Sequence, residues 1–75
     1  MKETIPPDYI HQWIREKRAV ENMTVAQLAD MVGITRQYMY LIEAGKQLPK
    51  MSVLQRIAKA FNGKFEFEFK EKDNG

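Results

Sequence analysis

Two neighbouring polar residues, Arg36 and Gln37, are the side chains in this 75-residue chain best suited to reading base pairs. In a major groove, an arginine fork pairs with the two acceptors of guanine and a glutamine amide with adenine, each worth about 1–3 kcal/mol of discrimination. The hydroxyls of Tyr38 and Tyr40 could hydrogen-bond phosphates. The alternative is an ordinary solvated helix face, with one tyrosine covering a neighbouring helix.

The residue types that catalysis or metal binding would need are scarce. His11 is the only histidine, and the chain has no cysteine. Glu16 and Glu21 are not spaced to share a metal ion with His11, and no nucleophile–base pair can be assembled. We therefore expect no enzymatic activity, no cofactor and no metal. No apolar run approaches the roughly 20 residues of a membrane span, and no signal-peptide core is evident, which predicts a cytoplasmic protein.

The segment from Met23 to Pro49 must position Arg36 and Gln37. Its first half has an N-capping threonine followed by apolar residues at helical spacing, namely Thr24 and then Val25, Leu28, Ala29 and Val32. Gly33 permits a sharp helix end, and Thr35 caps a second helix two residues later. So short a link forces the two helices to cross steeply. The second helix runs from about Thr35 to Ala44, with a core face of Thr35, Met39, Ile42 and Glu43.

Helices are also predicted on both sides of this pair. Residues 1–7 are interpreted as a flexible lead-in, because Pro6-Pro7 prevents a helix before it. An amphipathic helix is predicted from Asp8 to about Val20, with Ile10 and Ile14 on its apolar face and Trp13 at the edge of that face. Another helix is predicted from Met51 to Phe61, with Met51, Leu54, Ile57, Ala58 and Phe61 on one face, before Asn62-Gly63. The expected fold class is all-α, a helix-turn-helix bundle of about four helices over residues 8–63.

The end of the chain changes to a period of two. Phe65, Phe67 and Phe69 alternate with charged residues, which predicts a strand with one apolar face at residues 64–71, before a disordered tail at 72–75. No other strand is evident from the sequence, and a lone strand leaves its backbone unpaired. We expect this strand to pair antiparallel with a second copy and form a homodimer. The alternative is a strand that folds back on its own helices.

The charge of the chain is mildly basic, at +2 with a pI near 9.0. Residues 1–63 hold nine basic and six acidic residues, whereas residues 64–75 hold three and four, so the basic excess lies with the helices. Lys46 and Lys50 follow the second helix of the pair and could bind phosphates in a salt-dependent way. The alternative is that these loop lysines only keep the surface soluble.

These residues resemble a known domain. The stretch MTVAQLADMVGITRQYMYLIEAGKQLPKMSVLQRIAKAF is similar to the Cro/C1-type (XRE) helix-turn-helix domain, and the similarity covers roughly residues 10–61. Matching positions include Thr24, Leu28, Ala29, Gly33, Thr35, Met39, Ile42, Glu43, Gly45, Pro49, Leu54, Ile57, Ala58 and Ala60. The resemblance implies a lambda-repressor-like fold. The strand at residues 64–71 replaces a fifth helix found in many relatives, which resembles a subset of antitoxins whose dimers share a C-terminal ribbon.

The resemblance also implies roles for individual residues. Arg36, Gln37 and Leu41 occupy positions that usually meet base edges, whereas phosphates are met around Thr24, Lys46 and Lys50. Together with the residues singled out above, the full set expected to contact double-stranded DNA is Thr24, Thr35, Arg36, Gln37, Tyr38, Tyr40, Leu41, Lys46 and Lys50. Arg18 and Glu43 match a structural ion pair between the first helix and the recognition helix. Two departures are Val25, where relatives commonly have a phosphate-binding glutamine, and Leu41, where a polar reader is usual. The second departure leaves apolar contact with a thymine methyl group as the only specific role of Leu41.

The resemblance leads us to consider three functions. The first is a dimeric repressor that reads a palindromic operator with the helix at residues 35–44. The second is an antitoxin that binds a protein toxin and represses their shared operon through the same helix. A third is a helix-turn-helix fold used only for protein contact, which predicts no salt-dependent DNA binding.

Overall fold

The structure is a computed structural model that describes residues 3–61 and 67–69. In chain order the elements are strand β1 (Glu3–Ile5), a 3-10 helix (Pro7–Tyr9), helices α1 (Ile10–Val20), α2 (Val25–Val32), α3 (Arg36–Glu43) and α4 (Met51–Ala60), and strand β2 (Phe67–Phe69). The predicted four-helix, helix-turn-helix architecture is confirmed. Helix α2 packs against both α3 and α4, and α1 packs against α3.

Helix α1 begins two residues later than predicted, because one turn of 3-10 helix precedes it. The turn starts at Pro7, whose fixed φ suits the first helical position, and the Tyr9 N–H donates to the Pro6 carbonyl at 3.0 Å. At its other end α1 is closed by Asn22, which adopts a left-handed φ of 53°. The N–H groups of Asn22 and Met23 then bond back to the carbonyls of Ala19 and Arg18, both at 3.0 Å.

The core is centred on Trp13, which is fully buried and not at the edge of the apolar face as predicted. Its ring meets Phe61 edge-on, with the centroids 5.8 Å apart and the planes at 88°. In α4 the prediction was partly wrong, because Val53 is buried and Met51 is 45% exposed. The buried apolar set is Ile5, Ile10, Trp13, Ile14, Leu28, Ala29, Val32, Met39, Ile42, Val53, Leu54, Ile57 and Phe61.

The helix pair has the caps that the sequence predicts. Thr24 Oγ1 accepts a hydrogen bond from the Gln27 N–H at 3.0 Å, while the Gln27 side-chain oxygen accepts from the Thr24 N–H at 2.8 Å. This reciprocal pair satisfies two backbone donors at the start of α2. Gly33 ends α2 with a left-handed φ of 83°, and Thr35 caps α3 by accepting from the Tyr38 N–H at 3.0 Å.

Strand β2 pairs in parallel with β1 of the same chain, with Glu3 opposite Phe67 and Ile5 opposite Phe69. Residues 3–5, which the sequence interpretation placed in a flexible lead-in, form this partner strand, so a second strand within the chain was not foreseen. A three-residue strand is too short to show a period, so its position is decided by tertiary contacts, here the full burial of Ile5. Pairing between two copies stays a prediction.

Two further observations concern the limits of the fold. Among the residues that the structure describes, none of the helices has the length and apolar character needed to span a bilayer. The predicted tail at residues 72–75 and all of the predicted strand at 64–71 except residues 67–69 lie outside the described residues, Phe65 included. For Phe67 and Phe69 only the backbone is described.

Candidate nucleic-acid interface

Helix α3 divides sharply into an anchored face and a free face. Met39 and Ile42 are almost fully buried, which fixes the rotation of the helix about its axis. Arg36 and Gln37 are exposed at its start, where the chain has just left the glycine turn. A helix anchored on one side and polar at its exposed N-terminal end has the shape that fits into a major groove.

The two tyrosines of α3 are in different environments. Tyr38 is half-buried and packs against the hydrophobic core. Tyr40 is 60% exposed, which leaves most of its ring in solvent. Leu41 is half-buried, so only part of its side chain is accessible for a contact with a thymine methyl group.

A shallow groove joins Tyr40 to the N-terminus of α2. Its lining residues are Arg18, Ala19, Asn22, Met23, Thr24, Val25, Ala26 and Tyr40. The capping box uses the N–H groups of Thr24 and Gln27, whereas those of Val25 and Ala26 belong to the first turn and have no partner within the helix. Backbone donors at a helix N-terminus suit an anionic oxygen.

The predicted Arg18–Glu43 ion pair is present, and it is more extensive than a single contact. Arg18 donates from Nε to the two Glu43 carboxylate oxygens at 3.2 and 3.1 Å and from Nη2 to Oε1 at 2.8 Å. Its Nη1 donates to the Met23 carbonyl at 2.9 Å. Glu43 is 4% exposed, so its charge is buried and compensated by Arg18. One guanidinium thus joins the end of α1, the α1–α2 turn and the end of α3.

The loop after α3 carries the two lysines. Gly45 has a left-handed φ of 74°, and the Lys46 N–H donates to the Leu41 carbonyl at 3.0 Å, which ends the helix. A Cβ at Gly45 would lie 3.4 Å from the His11 ring, so the turn packs closely on α1. Lys46 and Lys50 are both exposed, at the two ends of this loop.

Two residues near the candidate interface escaped the sequence interpretation. Asp30, near the end of α2, has its Oδ2 atom 3.9 Å from Nη2 of Arg36. Gln27 completes the capping box and is therefore committed to the backbone. The Thr24-x-x-Gln27 spacing is a recognised sequence signal for that box. No comparable signal identifies the Asp30–Arg36 contact, which depends on how the two helices cross.

The predicted residues therefore occupy one continuous part of the chain. The α2 cap and the exposed start of α3 belong to two helices that pack together, and the loop lysines follow α3 in the chain. Phe65, Phe67 and Phe69 lie further along the sequence. A family model described as helix-turn-helix matches residues 14–67, which is most of the chain. The chain belongs to the Cro/C1-type (XRE) helix-turn-helix family.

Relatives of similar length support this assignment. The chain is 40% identical over 62 residues to an uncharacterised HTH-type transcriptional regulator of Archaeoglobus fulgidus, covering 80% of this chain and 87% of that protein. It is 39% identical over 57 residues to one of Methanocaldococcus jannaschii, covering 76% of this chain and 86% of the relative. A third, from Methanothermobacter thermautotrophicus, is 40% identical over 47 residues, covering 63% and 68%.

Proposed function

We propose that this protein is a sequence-specific DNA-binding transcriptional regulator that reads the major groove with α3. The observation that carries the proposal is the position of Arg36 and Gln37. Both are exposed in the first turn of a helix that Met39 and Ile42 fix in the core. Gln37 lies opposite these two anchors, whereas Arg36 is nearer to them by helical angle but lies at the helix end. The relatives' descriptions as transcriptional regulators agree with this function.

In this proposal the two ends of the helix pair hold the DNA backbone. The Val25 and Ala26 N–H groups take the place of the glutamine side chain that relatives use for a phosphate, and the nearby Tyr40 hydroxyl adds a donor. Thr24 and Thr35 contribute from the two caps, although each hydroxyl already accepts one backbone hydrogen bond. Lys46 and Lys50 neutralise phosphates beyond the end of α3.

We further propose that two copies act together as a repressor on a palindromic operator. A single α3 offers only Arg36 and Gln37 as strong polar readers, so one subunit alone would bind weakly. Two α3 helices about one helical turn apart, roughly 34 Å, would double the contacts. One edge of β2 is taken by β1. Its opposite edge pairs with no strand in the described part of the chain, so a second copy could add there and give a four-stranded sheet.

The antitoxin function remains the second candidate, and the C-terminal strand is the feature that favours it. A toxin would use a surface outside α3, so it could bind while DNA is held. The neighbouring gene and a pull-down from the host separate the two: a small toxin found in both supports the antitoxin, and its absence supports a stand-alone repressor.

The decisive experiment compares Arg36→Ala with a charge-matched control, Arg15→Ala. Arg15 is exposed on α1 and has no part in the proposed interface. The operator is first selected from a random duplex library with the wild-type protein. Arg36→Ala is expected to lower affinity for the selected duplex about 10- to 100-fold, as for a lost bidentate contact, and affinity for random duplex far less. Equal losses on both duplexes would contradict base reading by Arg36, and salt-independent binding by the wild type would contradict the function itself.

A further inference from the structure

Asp30 and Arg36 form an ion pair between α2 and α3, outside the hydrophobic core. Asp30 Oδ2 lies 3.9 Å from Arg36 Nη2, and the two side chains are 69% and 66% exposed. An ion pair this exposed contributes little to stability, because water screens both charges and the side chains lose entropy when held together. The Asp30–Arg36 pair is therefore not needed to stabilise the fold, which leaves a role in binding open to it.

Each charge is also at an unfavourable position in the dipole of its own helix. Asp30 lies in the last turn of α2, where the helix dipole disfavours an acid, and Arg36 is the first residue of α3, where it disfavours a base. Helix stability would therefore select neither residue at its position. Each is placed within reach of the other charge, because the link between the helices is only three residues long.

Asp30 is distinctive in the charge pattern of the proposed interface. Residues 24–50, all described by the structure, contain two acids and three bases. Glu43 is buried and compensated by Arg18, so Asp30 is the one acid of that segment exposed to a ligand. A carboxylate beside the leading base reader lowers the positive field where a DNA phosphate would approach.

We propose that Asp30 sets the DNA sequence specificity of this protein by controlling Arg36, an inference that rests on the proposed function. A guanidinium has five N–H donors, of which guanine uses two, so Asp30 can accept from another and hold the fork towards the base. On a random duplex, Arg36 would turn to a phosphate, and that phosphate would repel the Asp30 carboxylate beside Arg36. Asp30 thus assists the specific complex and penalises the non-specific one.

The test is Asp30→Asn, which keeps the shape of the side chain and removes its charge. We expect affinity for random duplex to rise about 3- to 10-fold and the salt dependence to steepen by about one phosphate contact, as one unit of repulsion is lost. Affinity for the selected duplex is expected to change less than about 2-fold. The variant no longer holds Arg36 towards the base, which weakens binding, but it also no longer repels the phosphates, which strengthens it. The ratio of specific to random binding therefore falls.

Two controls make the result decisive. Asp8→Asn removes the same charge from an exposed site in the 3-10 helix and should leave the ratio unchanged. In an Arg36→Ala background, Asp30→Asn should no longer change the ratio, because Asp30 acts through Arg36. The inference is overturned if both affinities rise in the same proportion, or if the effect persists without Arg36. A wild type that does not discriminate between duplexes overturns the proposed function as well, which distinguishes the two failures.

Discussion

The guanidinium of Arg18 is held by the carboxylate of Glu43 and by the Met23 carbonyl at the same time, with contacts of 2.8 to 3.2 Å. This relationship fixes the C-terminal end of α3 to α1. Because Glu43 is 4% exposed, its carboxylate is largely desolvated, and its charge depends on Arg18 for compensation. The position of α3 is thus decided by one buried ion pair together with the apolar anchors Met39 and Ile42.

Removing one member of this pair should destabilise the domain strongly. Arg18→Met is expected to lower the free energy of unfolding by about 3 kcal/mol, because it leaves the Glu43 carboxylate buried without compensation. Arg18→Met combined with Glu43→Leu should recover most of that loss, since no charge is then left buried. Urea denaturation followed by circular dichroism measures both variants. A double variant no more stable than Arg18→Met would contradict the role given to the buried charge.

The exposed pair provides the matched comparison. Asp30→Asn breaks the exposed Asp30–Arg36 ion pair, and because both partners are largely in water the expected loss of stability is below about 0.5 kcal/mol. The same denaturation experiment therefore separates a pair that holds the fold from a pair that we assign to DNA recognition.

Local chemistry explains why the helix pair was predictable. Thr24 and Thr35 cap helices through side chains three residues from their partners, and Gly33 supplies the left-handed conformation between them. Each signal acts over a few residues, so it is readable from sequence without knowing the tertiary fold. The rotation of α3 was readable too, since Met39 and Ile42 share one helical face.

Contacts between distant segments were not predictable in the same way. Ile5 is fully buried and Trp13 meets Phe61 from the far end of α4, and no local period reveals either fact. The β1–β2 ladder joins two three-residue strands more than 60 positions apart. The Asp30–Arg36 contact likewise depends on the crossing of two helices. The candidate interface was therefore predicted as a set of residues, and its electrostatic detail required the structure.

The loop lysines provide a test of backbone binding separate from base reading. Lys46→Ala and Lys50→Ala should each weaken binding to selected and random duplexes alike, because a phosphate contact carries no sequence information. Each should reduce the slope of log K against log salt by about 0.9, the value for one phosphate neutralised. Titrations at several salt concentrations measure this, with Lys59→Ala, exposed on α4, as the control. An unchanged slope would show that the lysines serve only solubility.

The phenylalanine stripe makes the proposed dimer testable. Replacing Phe65, Phe67 and Phe69 together by serine should shift the protein from dimer to monomer in sedimentation velocity at micromolar concentration. The physical reason is that alternate residues of a strand share one face, so the three rings would form one apolar surface between copies. Operator affinity of this variant should also fall, because dimerisation is lost and each α3 would then bind alone.

The opposite face of the same strand supplies the control for the dimer. Glu66, Glu68 and Lys70 alternate with the phenylalanines, so serine at these three positions keeps the length of the segment and spares the stripe. This variant should stay dimeric and keep its operator affinity. If the wild type itself sediments as a monomer, the in-chain pairing of β2 with β1 accounts for the strand fully, and the operator must be read by one subunit at a time.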